Sequence, residues 1–352
     1  ETWPITYPEK AYGFAEVGQT ILNVTDAKTI ELLVAGERLS LQESDLGHYE
    51  RVLDMRQGRL ERSIVWRTRA GNRIQVRSRR MVSLARRHLA VMSYEVTALD
   101  TDETVTLRSL LVVRQAADEP GPEPSEAEGF DPRQAEDMRG ALRPVAHGTS
   151  GAARAYLTHA TRASRLGLAV MAAHALEGAN ATPTVAAAAR EAAVSYEFTA
   201  PAGVPVTLHK LVAYHDGPAD SGADLLAAAT ATLDEAEALG AAGLYAEQAQ
   251  WLERFWQSAD VTVPGQPAVQ QALRWNLYQL LQASARADGL ARWPRPARSS
   301  PGAPSTARKL RPTTRRAPRS TTSTPTWRTP PASTWRPRPI PSSCSATAPR
   351  CW

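Results

Sequence analysis

Cysteine is nearly absent from this chain. Of its 352 residues only Cys344 and Cys351 are cysteine, and both lie at the far end. Residues 1–290 therefore form no disulfide and no thiolate metal site. No run of about 20 apolar residues occurs, so no helical membrane span is expected. The start has neither the basic segment nor the apolar core of a secretory signal, so a cytoplasmic location is expected. It also opens on Glu1 without a methionine, which suggests a fragment or a processed start.

Acidic residues are missing from one end. From Ala291 to Trp352 there are 13 Arg and Lys and no Asp or Glu. The remaining chain holds 41 − 13 = 28 basic residues against 36 acidic, a net of −8. The overall pI near 9.4 is thus an average over an acidic body and a basic tail. Half of the 26 prolines are in that tail as well.

Three readings of residues 291–352 compete. A basic arm would bind phosphates and release counterions. A proline-rich linker would be extended and act as a spacer. The third is a shifted reading frame. In GC-rich coding DNA the third codon base is nearly always G or C. Moved to the second position, those bases encode only Ser, Pro, Thr, Ala, Arg, Gly, Cys and Trp. Of the 62 tail residues, all but Lys309, Leu310 and Ile340 belong to that set. Selection for phosphate binding gives no reason to exclude Gln, Asn, His and Val while keeping four Trp. The frame slip accounts for both, and it implies an unselected, disordered tail. No nucleic-acid partner and no membrane partner are expected.

The body reads as two kinds of structure. Residues 28–113 carry antiparallel β signals. "TIELLVAGERLSL" is strand, Gly turn and strand, and Gln57-Gly58 and Gly71-Asn72 each sit between alternating runs. The alternation points Leu60, Arg62, Ile64 and Trp66 one way and Glu61, Ser63 and Val65 the other. The polar stretch 118–132 reads as a loop. Strands resume at "RAYLTHATRASRLGLAVMAAHAL", "AAVSYEFTA" and "VPVTLHKLVAYHDG". Many short strands separated by turns indicate a β-sandwich. After "DGPADSG" the period becomes helical, with an interruption at Gly240 and Gly243. Trp251 and Phe255, four apart, share a face. "VTVPGQP" breaks the pattern, and a further helix comes after it with Leu273, Leu277, Leu280 and Leu281 on one side.

An ordered set of segments carries a resemblance. They are "EKAYGFAEVGQTILNVTDAKTIELLV", "YERVLDMRQGRLERSIVWRTRAGNRIQVRSRRMVSLARRHLAVMSYEVT", "LTHATRASRLGLAV", "LHKLVAYHDG", "WLERFWQSADVTV" and "VQQALRWNLYQLLQASARADG". Together they cover most of residues 1–289, and the set resembles glycoside hydrolase family 65, the α-glucoside phosphorylases and hydrolases. The resemblance implies a mainly β N-terminal part, residues 1–218, that is a large antiparallel sandwich lacking its first strands. It implies a helical linker over 219–262 and, over 263–290, the first helix of a truncated (α/α)6 catalytic barrel. Residues 291–352 are then the frameshifted, disordered tail.

The intact parent would cleave a trehalose-, maltose- or kojibiose-like α-linked glucose disaccharide with inversion. Its expected form is a homodimer. A Glu general acid would protonate the glycosidic oxygen while phosphate, or water activated by a carboxylate, attacks the opposite face. Inorganic phosphate would be the co-substrate, and no other cofactor is implied. Restoring the frame places that Glu across the codons for Arg319 and Ser320, so the chain lacks it. No catalytic, cofactor-binding or metal residue carries over, and the chain is expected to be inactive. The alternative is a carbohydrate-binding or interaction sandwich without catalysis. A sandwich without its first strands and helices without their barrel are expected to be poorly stable.

Other residues invite functional readings and have plainer ones. Asp54 and Glu61 flank a hairpin and read as solvated charges. His159, His174, His209 and His215 lack metal-site spacing and read as single strand or loop histidines. Trp66, Trp251, Trp256 and Trp275 could stack on sugars, but they read as core or interface residues. "RSRRMVSLARR" (77–87) reads as strand-edge or interface arginines. The sequons at Asn23 and Asn180 mean little without secretion.

Overall fold

A computed structural model describes residues 1–5, 7, 12–114 and 140–283. The stretch read as a polar loop at 118–132, residues 284–290 of the expected last helix segment and the whole basic tail lie outside the described residues. So does the frame-slip reading.

Two antiparallel sheets form the sandwich. The larger runs, edge to edge, β10 (Leu142–Ser150), β11 (Arg154–Thr161), β12 (Leu166–Glu177), β15 (Val206–Pro218), β8 (Leu89–Ala98), β7 (Arg73–Val82), β6 (Arg59–Arg67) and β5 (Asp45–Asp54). The smaller runs β13 (Thr184–Ala187), β14 (Glu191–Ala200), β9 (Glu103–Val112), β3 (Ile30–Val34) and β4 (Glu37–Arg38). A separate hairpin joins β1 (Thr2–Pro4) to β2 (Val17–Gln19). The three hairpin turns expected at Ala35-Gly36, Gly58 and Gly71 are present, each glycine with positive φ. β10 was not legible in advance. It carries Pro144 and Gly148 and a register shift between Pro144 and Ala146, which a sheet edge tolerates.

Alternation then builds the core. Ile64, Trp66, Ile74, Val76, Val96, Leu208 and Val212 of the larger sheet meet Leu32, Leu107, Val194 and Phe198 of the smaller one. Strands β8, β12 and β15 are apolar on their other face too. There Leu89, Val91, Met171, Ala173, Leu211 and Ala213 lie under α1 (Gly222–Ala259), through Ala229, Leu233, Ala236 and Leu244. The described fold is therefore three layers deep where α1 crosses the sandwich. A buried Leu contributes roughly 1.5–3 kcal/mol, so Leu233 and Leu244 alone anchor α1 firmly.

α1 is two helical runs joined at Gly240, whose φ of 66° and ψ of 166° no helix accommodates. Gly243 stays helical, so the one expected interruption falls at Gly240. A second helix, α2 (Pro267–Ala283), comes after the expected break. Its inward residues are Leu273, Leu277, Tyr278 and Leu281. Leu280 is 66% exposed, so the expected leucine stripe is shifted.

Inside the sandwich a few polar side chains tie one sheet to the other. Lys210 is fully buried, and its Nζ donates to the Leu110 carbonyl at 2.8 Å. His174, opposite Lys210 across the β12–β15 pair, meets Ser109 Oγ at 2.8 Å. Tyr214, also of β15, donates to the Thr25 carbonyl at 3.0 Å, in the segment that leads into β3. Burial pushes the Lys210 ammonium down to about 7, with Asp26 opposing. Burial, and then the Lys210 charge, pushes His174 down to about 3.

This sets a pH dependence with a definite sign. Folded Lys210 releases its proton near pH 7, whereas the unfolded chain keeps it to about 10.5. Its contribution to stability is therefore lowest below pH 7 and rises between those two values. In urea titrations the stability difference between the unaltered chain and K210M is expected to move in favour of the unaltered chain from pH 7 to 10. A difference independent of pH would mean that Lys210 titrates normally.

Candidate functional site

The second half of α1 reaches the β5–β6 hairpin and forms the most elaborate junction among the described residues. Four side chains at helical spacing dock there. Tyr245 donates to the Arg79 carbonyl at 3.1 Å. Gln248, buried, accepts from the Leu84 N–H at 2.8 Å and donates to the carbonyls of Val82 (3.3 Å) and Gly58 (3.4 Å). Leu252 is fully buried against the hairpin tip. Trp256 Nε1 donates to the Met55 carbonyl at 3.0 Å.

Gly58 is required at the tip for two reasons. Its φ is 66°, and a Cβ there would stand 2.3 Å from Leu252 Cδ1 and 2.7 Å from Gln248 Nε2. Ion pairs flank the contact. Arg86 forks onto Glu247 at 2.9 Å and reaches Glu235 at 3.0 Å, which raises its pKa. Arg56 meets Glu253 at 3.2 Å. Such exposed pairs contribute about 0–1 kcal/mol each, so they align the helix more than they hold it.

The junction continues into α2. Trp251, Phe255 and Trp256 form an aromatic run with ring centroids 6.3 and 4.9 Å apart. Tyr278 and Leu281 of α2 pack on it together with Leu53, Met55 and Leu84. Arg274 forks onto Asp260 at 2.9 and 2.6 Å, which outweighs desolvation and lowers the Asp260 pKa. The site is thus a mechanical coupling. It fixes α2 to the sandwich through one face of α1.

The residues singled out in the sequence fall elsewhere or into this junction. Asp54 Oδ1 accepts from the N–H groups of Arg56 and Gln57, both at 3.0 Å, so it caps the hairpin turn. Glu61 pairs with Arg59 at 2.7 Å and Arg79 at 3.6 Å. The two carboxylates have separate structural tasks and form no acid–base pair. His159 lies 3.4 Å from Thr25 Oγ1, and burial pushes it down to about 4. His209 sits between Ser93 at 2.9 Å and Glu177 at 3.2 Å. His215 stacks on His88 at 4.1 Å and meets Thr232 of α1 at 2.8 Å. No cluster of three or more potential metal ligands occurs among the described residues.

Trp66 is in the sandwich core, Trp251 and Trp256 are in the junction, and Trp275 is 46% exposed. The arginines of 77–87 divide between strand pairs, Arg77 with Glu95 and Arg79 with Glu61, and the helix contact of Arg86. Gln248 and Gly58 were missed. A lone Gln in a helix and a Gly in a hairpin turn carry no signal that they touch. A polar cleft of about 280 Å3 also opens between Glu37, Ser44, Asp45, Arg67 and Arg69. Its charges are largely paired, Arg67 with Asp45 and Arg69 with Glu37.

The fold is an antiparallel β-sandwich with a long helix packed across its larger sheet. Residues 1–255 match the family model for the glycosyl hydrolase family 65 N-terminal domain, and the chain belongs to that family. An uncharacterized glycosyl hydrolase of Mycobacterium tuberculosis is 37% identical over 289 residues, which are 82% of this chain and 36% of that protein. The alpha,alpha-trehalose phosphorylase of Thermoanaerobacter brockii is 31% identical over 288 residues, 81% of this chain and 36% of that one. A solved human-microbiome protein, provisionally described as a kojibiose phosphorylase, superposes with a TM-score of 0.65 at 19% identity. That superposition covers 80% of this chain and 34% of the other, and it shows the fold. The chain spans about a third of the length of these relatives.

The junction makes a direct prediction. G58A is expected to cost roughly 1–3 kcal/mol, from overpacking against Leu252 and from the positive φ. The measurement is the urea midpoint. An unchanged midpoint would place the hairpin tip away from the helix.

Proposed function

We propose that this chain carries the N-terminal sandwich, the linker helix and the first barrel helix of an α-glucoside phosphorylase or hydrolase, and is itself catalytically inactive. Two observations support the reading. The family match is to the N-terminal domain, over residues 1–255. The residues after 290 have the restricted composition of a shifted frame. The single observation that carries it is the first, because the family's cleavage chemistry is proposed to reside in a barrel beyond that domain.

The intact parent would take an α-linked glucose disaccharide of the trehalose, maltose or kojibiose type. One carboxylic acid protonates the leaving oxygen, and phosphate or water attacks from the other face. The parent would act in the cytoplasm as a homodimer, with neither nucleic acid nor membrane as partner. The sandwich and its helices would serve it as a rigid mount, with the aromatic junction setting the barrel against the sandwich. A second reading keeps the sandwich as a carbohydrate-binding or partner-binding module, for which the polar cleft beside β4 is the candidate surface.

Incubating this chain with trehalose, maltose and kojibiose, with and without phosphate, is expected to release no glucose and no sugar phosphate. Turnover above background would overturn the inactivity claim. Calorimetric titration with the same sugars separates the two readings, since saturable heat favours the binding module and flat traces favour the mount. Resequencing the gene from residue 285 onward tests the tail. A clean in-frame barrel with an acidic residue near the codons for Arg319 and Ser320 would replace this chain by a full enzyme.

A further inference from the structure

The two sheets are unequal, and the larger one has inner-face positions that the smaller one leaves open. Ile64 and Trp66 of β6 are buried in the sandwich. Two residues back along the same face stands Arg62, and then Leu60. Pairing sets Arg62 directly opposite Arg51 of β5 and Ser78 of β7, and Leu60 opposite Arg80 of β7. Tyr49 of β5 lies on the same face, opposite Ile64, and is 48% exposed. These residues line an open cavity of about 130 Å3.

Its charge is unbalanced in a way the rest of the sheet is not. Strands β5, β6 and β7 hold eight arginines. Five have a carboxylate partner: Arg59 and Arg79 share Glu61, Arg67 meets Asp45, Arg73 meets Asp100 and Arg77 meets Glu95. The guanidinium groups of the other three, Arg51, Arg62 and Arg80, make no ion pair or hydrogen bond among the described residues, and all three side chains line this cavity. Like charges directly opposite across a sheet destabilise it. Arginine cannot relieve the repulsion by losing its proton. Burial, then Arg51 and Arg62, lower the pKa of Arg80, with Tyr49 and Asp26 opposing more weakly. The three guanidinium groups therefore repel one another without an ion-pair partner among the described residues.

A dianion would offset this repulsion. Planar guanidinium forks match the oxygens of a tetrahedral oxyanion two at a time. Tyr49 and Ser78 add hydroxyl donors at the rim, and Leu60 supplies an apolar wall that discourages competing water. A lone carboxylate would leave a surplus of positive charge, whereas a phosphate group answers it more fully. We propose that the Arg51–Arg62–Arg80 cavity binds a phosphate dianion, either free or as the head group of a small phosphomonoester. The inference stands on these side chains alone and holds whether or not the intact parent uses phosphate in catalysis.

The test is calorimetric titration of the full chain at fixed ionic strength, first with inorganic phosphate and then with glucose 6-phosphate. Saturable binding at one site is expected. Tighter binding of inorganic phosphate identifies a free-anion site, and tighter binding of glucose 6-phosphate identifies a phosphomonoester site. In R62A the affinity is expected to fall roughly tenfold or more, as for loss of a charge-assisted hydrogen bond. R62K is expected to recover part of that loss. Without phosphate, R62A should melt no lower than the unaltered chain, because it removes a repulsion. That control separates lost binding from lost folding. Absence of saturable binding, or binding unchanged in R62A and therefore seated on the basic tail, would overturn the proposal.

Discussion

Strands β8, β12 and β15 are apolar on both faces, and the rest of the structure depends on covering both. One face meets the five-stranded sheet and the other meets α1. A sheet buried on both faces cannot stand with one cover removed without exposing Leu89, Val91, Met171, Leu211 and Ala213 together. The helix that leads out of the sandwich is therefore one of its structural layers. Gly240 lets its second half change direction and meet the β5–β6 hairpin, where Gln248 and Leu252 close on Gly58.

Polar groups supply direction where apolar packing supplies strength. Lys210 and His174 fix one sheet against the other at single hydrogen-bonding positions, and Tyr214 ties the larger sheet to the segment before β3. Gln248 does the same for the helix, since its three contacts are satisfied in one register only. Removing one partner from such a buried set leaves the others unsatisfied, which costs about 1–3 kcal/mol per group. Arg51, Arg62 and Arg80 are the exception, a cluster whose guanidinium groups make no ion pair or hydrogen bond among the described residues.

Much of the sandwich was legible in the sequence because alternation and turn glycines are local signals. "TIELLVAGERLSL" gave its turn at Ala35-Gly36, and the runs beside Gly58 and Gly71 gave β5 to β7. β10 was hidden by Pro144 and Gly148, which an edge strand accepts and a central one does not. The stripe on α2 was misplaced because Tyr278, not Leu280, turns inward to the aromatic run. The junction was half visible: Trp251 and Phe255 declared a shared face, but nothing local pairs Gln248 with a hairpin 190 residues earlier. The alternation put Arg62 on the face of Ile64 and Trp66, but it gave no sign of an arginine cavity. Only the register of β5 and β7 shows that two more arginines join it.

The central claim is that α1 and the sandwich are one cooperative unit. Native-state hydrogen exchange read by mass spectrometry on the full chain measures this directly. Amides around Leu233, Leu244 and Leu252 are predicted to exchange only through the opening that also exposes β12 and β15. Rapid exchange along α1 beside a sandwich that stays protected would contradict it.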